Sequence, residues 1–265
     1  TNDIVTTFHD SPRVDETDHA WALVTGGSGR GGAAIARALH ARGLSVVIHH
    51  TPRSPEKAKA LQAELELLRP HTTKLWAADF SADDFHVPAW LGSKGVTVLV
   101  CNASAYHASG VEDIDRTHID IAIHVCAHAA ILSALRPRPG QRQPLRSVVA
   151  ITDIAVDRAP PGHVSYTTAK GALQSMILAL ANDWAPHVRF NIVQPRTLPL
   201  RSLGQTEAKK INKITSFGYI AIEKLARTVV YLAIDASHVT GRVLAADGWQ
   251  SKPPSVCEQQ VPWRT

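Results

Sequence analysis

Tyr166 and Lys170 stand four residues apart in Y-T-T-A-K, and Asp153 ends an apolar run just upstream. On a helix, that spacing puts the phenol and the ammonium on one face. A phenol alone, with an ordinary pKa near 10, is a poor proton shuttle near neutrality. A cation beside it can lower that value, so the pair reads as a proton-donating site, with the Asp153 carboxyl as a third ionisable member. Near the start of the chain, T-G-G-S-G-R-G-G at Thr25–Gly32 follows an apolar run and opens a helical pattern. A glycine-rich strand-to-helix turn lets backbone N–H groups approach a pyrophosphate at the positive helix end. The next such turn is H-H-T-P-R-S, His49–Ser54. An acidic residue there would favour a ribose 2′-hydroxyl. His49, Arg53 and Ser54 suit a 2′-phosphate instead, so the expected cofactor is NADPH/NADP+.

These residues need a frame. Short apolar runs occur at Trp21–Thr25, Ser45–His49, Lys74–Ala77, Val96–Cys101, Ser147–Thr152, Val188–Val193 and Val243–Ala246. Most are continuous rather than alternating, as strands buried on both faces are. Helical patterns fit between them at Gly32–Ala41, Pro55–Leu68, Asp113–Leu135, His163–Trp184 and Ala221–Ile234. Ser54 is a candidate N-cap before Pro55. The alternation predicts an α/β fold, a single-domain Rossmann-type doubly wound parallel sheet of about seven strands. Ligands then bind at the carboxyl ends of the strands. The domain is expected over 20–250. Residues 1–19 read as a mobile N-terminal arm without the order of a signal peptide, and 251–265 as a tail.

Composition narrows the class. Of 265 residues, 45% are hydrophobic and 19% charged, ordinary for a globular domain, and no apolar run was expected to reach membrane-span length. The formal net charge of +5 is spread out, with no basic run interleaved with aromatics. It therefore suits an anionic cofactor better than nucleic acid. Three cysteines, Cys101, Cys126 and Cys257, make neither a disulfide framework nor a metal set, and the 14 histidines show no metal-ligand spacing. A reducing, cytoplasmic setting is expected, with no metal, membrane or nucleic-acid partner.

Taken together, the glycine turn, Asp79, Asn102-Ala103-Ser104, Tyr166-x-x-x-Lys170 and V-T-G-x-x-x-x-x-D-G at Val239–Gly248 resemble the short-chain dehydrogenase/reductase family over about residues 20–250. Arg30 stands where that family's turn has a glycine, and Asp153 where it has a catalytic serine. With N-A-S-A-Y at Asn102–Tyr106, A-D-F-S at Ala78–Ser81 and I-H-V at Ile123–Val125, this is similar to the pteridine reductase and dihydromonapterin reductase-like branch. The resemblance implies an NADPH-dependent reducer of pterin C=N bonds, a homotetramer or dimer whose interface is built by the helices Asp113–Leu135 and His163–Trp184.

It also implies roles. Asp153, Tyr166 and Lys170 are catalytic. Thr25, Gly26, Ser28, Arg30, Gly31 and Gly32 hold the pyrophosphate. Asp79 and Phe80 meet the adenine, and Asn102, Ala103 and Ser104 support the nucleotide. Pro195, Arg196 and Thr197 lie at its nicotinamide end, and Lys170 binds the ribose. Arg30, Ser104, Tyr106, Asp153, Tyr166 and Arg196 line the substrate pocket, with Tyr106 stacking on a flat ring and a lid over about 196–220. Trp249 adds bulk near the carboxyl end. Cys126 takes the helix position of an asparagine that anchors the family's proton-relay water. Asp153 bears on the substrate. A carboxylate repels developing alkoxide charge, whereas an Asp–Tyr pair can serve a ring nitrogen, so a cyclic C=N acceptor is favoured over a C=O acceptor. A cyclic imine or ketone reductase of specialised metabolism, and a catalytically silent nucleotide-binding regulator, stay open.

Overall fold

Seven runs of apolar, mostly β-branched residues pair in parallel and bury both faces. The computed structural model describes residues 20–53, 55–141, 144–196 and 221–247. Its strands are β1 Trp21–Val24, β2 Ser45–His50, β3 Thr73–Ala77, β4 Val96–Cys101, β5 Ser147–Ile151, β6 Arg189–Pro195 and β7 Arg242–Ala246. All pair in parallel in the order β3-β2-β1-β4-β5-β6-β7. The helices are α1 Arg30–Ala41, α2 Pro55–Leu68, α3 Ala89–Ser93, α4 Ile114–Ile121, α5 Ala127–Leu135, α6 Ala155–Arg158, α7 Val164–Asp183 and α8 Ile222–Val230. The expected strands and main helices are all present. The short helices α3 and α6 were not foreseen, being too brief to show a period.

Each sheet face has its own core. Leu91 of α3, Ile131 and Leu132 of α5, and Leu173 and Ile177 of α7 pack with Phe190 on one face. Ile35 and Leu39 of α1, Leu61 and Leu65 of α2, and Leu225 and Val229 of α8 pack with Ile48 and Val149 on the other. The chain crosses over between β3 and β4, so β1 and β4 lie side by side while their connections run to opposite sides. The crevice at their carboxyl ends is the switch point where ligands bind in such sheets.

The predicted helix Asp113–Leu135 is interrupted. Asp113 caps α4, its carboxylate accepting from the Arg116 N–H at 3.1 Å. A π turn, Ala122–Cys126, separates α4 from α5. By length and a mean hydropathy of 1.5, Ile114–Leu135 does meet the composition of a membrane span, contrary to the sequence-based expectation. Asp120, His124 and His128 are buried along it, and it packs against α7, as a core helix does.

The sheet's far edge is tied by Arg189. Its guanidinium donates to the carbonyls of Leu232, Ala233 and Ala236 at 2.7–2.9 Å, and to that of Val239 at 3.3 Å. These carbonyls end a second π turn, Tyr231–Asp235, that continues α8. Helix C-termini leave such groups without intrahelical partners, and a planar five-donor fork serves several at once. Asn191 adds a bond from Nδ2 to the Val239 carbonyl at 2.8 Å. Arg189→Lys keeps the charge but loses the fork, and is expected to lower unfolding free energy by about 2–3 kcal/mol. Urea denaturation checks it, and an unchanged midpoint would sink the role.

Candidate active site

Thr25 is the first side chain beyond β1, and its hydroxyl organises the crevice. Thr25 Oγ1 accepts from the N–H groups of Asn102 at 2.8 Å and Ala103 at 2.9 Å, just past β4. It faces His128 Nε2 at 2.9 Å. His128 Nδ1 lies 2.8 Å from the His124 carbonyl, so Nδ1 carries the proton and Nε2 accepts from Thr25. The Asn102 amide donates to the Thr25 carbonyl at 2.9 Å and the Gly26 carbonyl at 3.3 Å. The turn between β1 and α1 is thus held by β4 and α5 together.

Gly26 and Gly32 of that turn are obligatory. Gly26 has φ +60°, and a Cβ on Gly32 would stand 2.2 Å from the Gly26 carbonyl oxygen. The helix α1 starts at Arg30 with no side-chain cap, so its first N–H groups remain available to an anion. Ser28, Arg30 and Gly31 lie at this exposed or half-exposed end. The cradle fits a dinucleotide pyrophosphate.

His49 does not do what the sequence suggested. Its Nδ1 accepts from the Gly26 N–H at 2.9 Å, and its Nε2 donates to the Ala78 carbonyl at 3.1 Å. Both nitrogens are taken, and the ring is buried and stacked on Phe80 at 4.0 Å. His49 braces the glycine turn and has no donor left for a phosphate. Phe80 is likewise buried, its ring held between His49 and the edge of His128. Any cofactor contact it makes must use its backbone. Arg53 is exposed at the adenosine end and paired with Asp79 at 3.0 Å. Asp79 also accepts from the Ser81 hydroxyl and N–H, which hold its carboxyl below the usual range together with Arg53. Ser54 and Thr197 lie outside the described residues, as do the arm, the lid from 197 to 220, Trp249 and the tail.

The three residues expected to be catalytic do come together. Tyr166 Oη donates to Asp153 Oδ2 at 2.9 Å, and Asp153 Oδ1 accepts from the Ala155 N–H at 2.8 Å. Lys170 is fully buried, donates to the Ile151 carbonyl at 2.8 Å, and lies 5.8 Å from the Tyr166 ring centre. Burial pushes Lys170 down to about 8, against Asp153, Cys101 and Asp120, which raise it. Tyr166 moves the opposite way from the sequence-based expectation. Burial first, then the Asp153 charge and the bond to it, drive its pKa well above the ordinary value, against the Ser104 hydroxyl, which lowers it. Tyr166 therefore stays a neutral phenol and holds its proton more tightly than an ordinary tyrosine does.

Around the trio, Tyr106 meets Tyr166 edge-on with ring centres 4.8 Å apart. It is half exposed at the mouth and stacks on His163 at 4.5 Å, its hydroxyl bonded to His163 Nε2 at 3.0 Å. Ser104 bonds His124 Nε2 at 2.9 Å. Arg196 follows Pro195 at the end of β6, its N–H bonded to the Ala246 carbonyl. Pro195 in turn accepts from Ile154, beside Asp153.

Cys126 is a correction. It is exposed, because the π turn it ends changes the angular step of the helix and carries it off the site-facing side. The buried residues on that side are Asp120, His124 and His128, which sequence reasoning passed over. The i, i+4 spacing of His124 and His128 was the available signal. His163, beneath Tyr106, left none.

The family profile described as Enoyl-(Acyl carrier protein) reductase matches residues 30–249. The chain belongs to the short-chain dehydrogenase/reductase family, in its pteridine reductase-like branch. Dihydromonapterin reductase of Enterobacter sp. (strain 638) is 26% identical over 85% of this chain and 94% of its own length. Pteridine reductase 1 of Leishmania tarentolae is 27% identical over 87% of this chain and 96% of its own. The crystal structure of FolM Alternative dihydrofolate reductase 1 from Brucella canis, complexed with NADP, superposes with a TM-score of 0.78 at 26% identity. It covers 90% of this chain and 98% of that chain.

The buried histidines of this protein are expected to make its stability acid-sensitive. Burial is the first cause of the lowered pKa values of His49 (to about 3), His124 (to about 2) and His128 (to about 4). Below the ordinary value of 6.5 the unfolded chain takes up protons that the folded chain refuses. Stability should fall as pH drops from 6.5 towards 4, by up to about 1.4 kcal/mol per pH unit for each ring. Urea denaturation at pH 7.0, 6.0 and 5.0 reads this slope (~1 unit steps suffice), and a flat profile would contradict it.

Proposed function

We propose that this protein reduces a C=N bond in a pterin-like or related cyclic imine, with NADPH as its cofactor. Membership of its family makes it an NADPH-dependent oxidoreductase. The substrate reading rests chiefly on one observation: the Tyr166 hydroxyl is bonded to a carboxylate, Asp153. Residue 153 thus brings a negative carboxylate rather than a donating hydroxyl to Tyr166, which disfavours a developing alkoxide there, while the neutral hydroxyl beside Tyr166 is that of Ser104. The Asp153–Tyr166 pairing suits a ring nitrogen, which gains a proton as it is reduced. The dihydromonapterin and pteridine reductase relatives, named for pterins, support the same class.

The geometry supports a set of roles. The turn Thr25–Gly32 and the uncapped start of α1 would hold the pyrophosphate, with Arg53 for the 2′-phosphate. When bound, the nicotinamide supplies hydride to the carbon of the C=N bond. Tyr166 holds its proton on Oη and gives it to the nitrogen, so the O–H bond breaks as the N–H bond forms. Asp153 Oδ2 fixes the direction of that hydroxyl, and its charge keeps the phenol protonated until the acceptor is in place. Lys170 supplies the buried positive charge that offsets the tyrosinate once the proton has left. Tyr106 offers an aromatic surface at the mouth for a flat ring, held in place by His163.

We infer further that the protein acts in the cytoplasm as a homotetramer or dimer. Two uncrosslinked cysteines, Cys101 and Cys126, are consistent with a reducing compartment. Exposed Ile114 and Val164, at the starts of α4 and α7, support these helices as the interface. Light scattering on the purified protein should give two or four times the chain mass of 28.7 kDa, and a monomer would remove the oligomer. For the reaction, NADPH oxidation with dihydrobiopterin or dihydrofolate is the expected result. Tyr166→Phe should lower kcat by about 100-fold or more, and Asp153→Ser by about 10-fold or more on C=N acceptors. Turnover of ketones alone, or C=N reduction untouched by Asp153→Ser, would refute the reading.

A further inference from the structure

Asp120 is a buried ionisable group that the mechanism above leaves without a task. It lies near the end of α4 with no exposed surface, and neither carboxylate oxygen has a hydrogen-bond partner among the described residues. An unpaired buried carboxylate is costly, commonly by several kcal/mol, so packing gives no reason to keep it. Its position is well defined. The Thr117 and Ser165 hydroxyls join α4 to α7 at 2.9 Å, and His124 Nδ1 donates to the Asp120 carbonyl at 2.7 Å. His124 in turn accepts from Ser104 at the active site.

Lys170 presents the complementary problem. Its ammonium has three hydrogens and is fully buried, yet makes one hydrogen bond among the described residues, to Ile151. It comes from α7, the helix α4 packs against. The charged and titratable groups within electrostatic reach of Asp120 are Arg116 and Asp113 of its own helix and cap, His107 of the loop after β4, and Lys170.

We propose that Asp120 is a positioning residue for Lys170: its carboxylate meets the ammonium through a bridging water and keeps it charged at working pH. The proposal rests on the assignment of Tyr166 and Lys170 as the proton-handling pair. Burial alone drives a lysine towards neutrality, and a neutral amine could not balance the charge left on Tyr166. The opposing influence of Asp120 on Lys170 has the required sign, although Asp153 is the larger of the two carboxylate contributions. Asp120 touches no reacting atom and acts through Lys170 alone.

The test reads Lys170 directly. In protein carrying 15Nζ-labelled lysine, with Lys170→Met to assign the signal, Lys170 of Asp120→Asn should titrate about one pH unit lower than in the wild type. The basic limb of kcat should move the same way, with KM for NADPH within about 2-fold at pH values where Lys170 stays charged. A Lys170 titration unchanged in folded Asp120→Asn overturns the proposal. Should that variant fail to fold, a high-resolution crystal structure of the wild type decides: a water joining the Asp120 carboxylate to Lys170 Nζ supports it, and Lys170 bonded only elsewhere overturns it. A wild type that reduces no C=N acceptor would defeat the proposed function, while the Lys170 titration would still decide the role of Asp120.

Discussion

The geometry of the whole crevice depends on one hydroxyl. Thr25 Oγ1 receives two backbone N–H groups from the end of β4 and gives its own proton to His128 on α5. It joins the two strands that part at the switch point to the helix that covers one face. Because the hydroxyl is fully buried, its bonds are not shared with water, and a low local dielectric strengthens them. The glycine turn is fixed from beneath by this knot and from the side by His49. The shape of the glycine turn is therefore set by bonds within the protein.

Neutral imidazoles carry much of this framework. His49, His124 and His128 each offer one donor and one acceptor in a fixed order, and each meets both needs within the protein. A neutral ring is far easier to bury than a charged side chain with the same reach. Lys170 adds its positive charge to the surroundings of His124 and His128 and makes their protonation harder still. The positive charge is thereby confined to Lys170. The acid-sensitivity expected of the fold and the charge distribution of the active site have a common origin.

The sheet, the glycine turn and the Tyr166–Lys170 pair were legible in the sequence because each has a short-range signature. Buried parallel strands show as apolar runs, the turn as glycines at a strand-to-helix junction, and the pair as i, i+4 spacing on a helix. The roles of His49 and Cys126 were not, because each depends on a partner or a local geometry far from the motif. His49 looked like a phosphate ligand at the end of β2, but its nitrogens are taken by Gly26 and Ala78, the latter from beyond β3. Cys126 aligned with a relay position, yet a π turn has no sequence period of its own and alters which side a residue faces. The Tyr166 pKa failed for a third reason. The pairing of charge and phenol was read along the helix, whereas the stronger influences, burial and Asp153, come from the tertiary fold.

The π turn also explains how one helix can serve both core and site. On a regular helix, Asp120, His124 and His128 already share a face at four-residue intervals. The wider turn between Ala122 and Cys126 lets the polar row continue into α5 while Ile131 and Leu132 enter the apolar core below. Asp120 then lies opposite α7, His124 reaches Ser104, and His128 reaches Thr25. These contacts run from the neighbourhood of Lys170 to the phosphate turn along one segment. A substitution in this row would therefore be felt at both ends of the cofactor crevice, which is a reason for its polar side chains to be buried in a helix whose composition is otherwise apolar enough for a core.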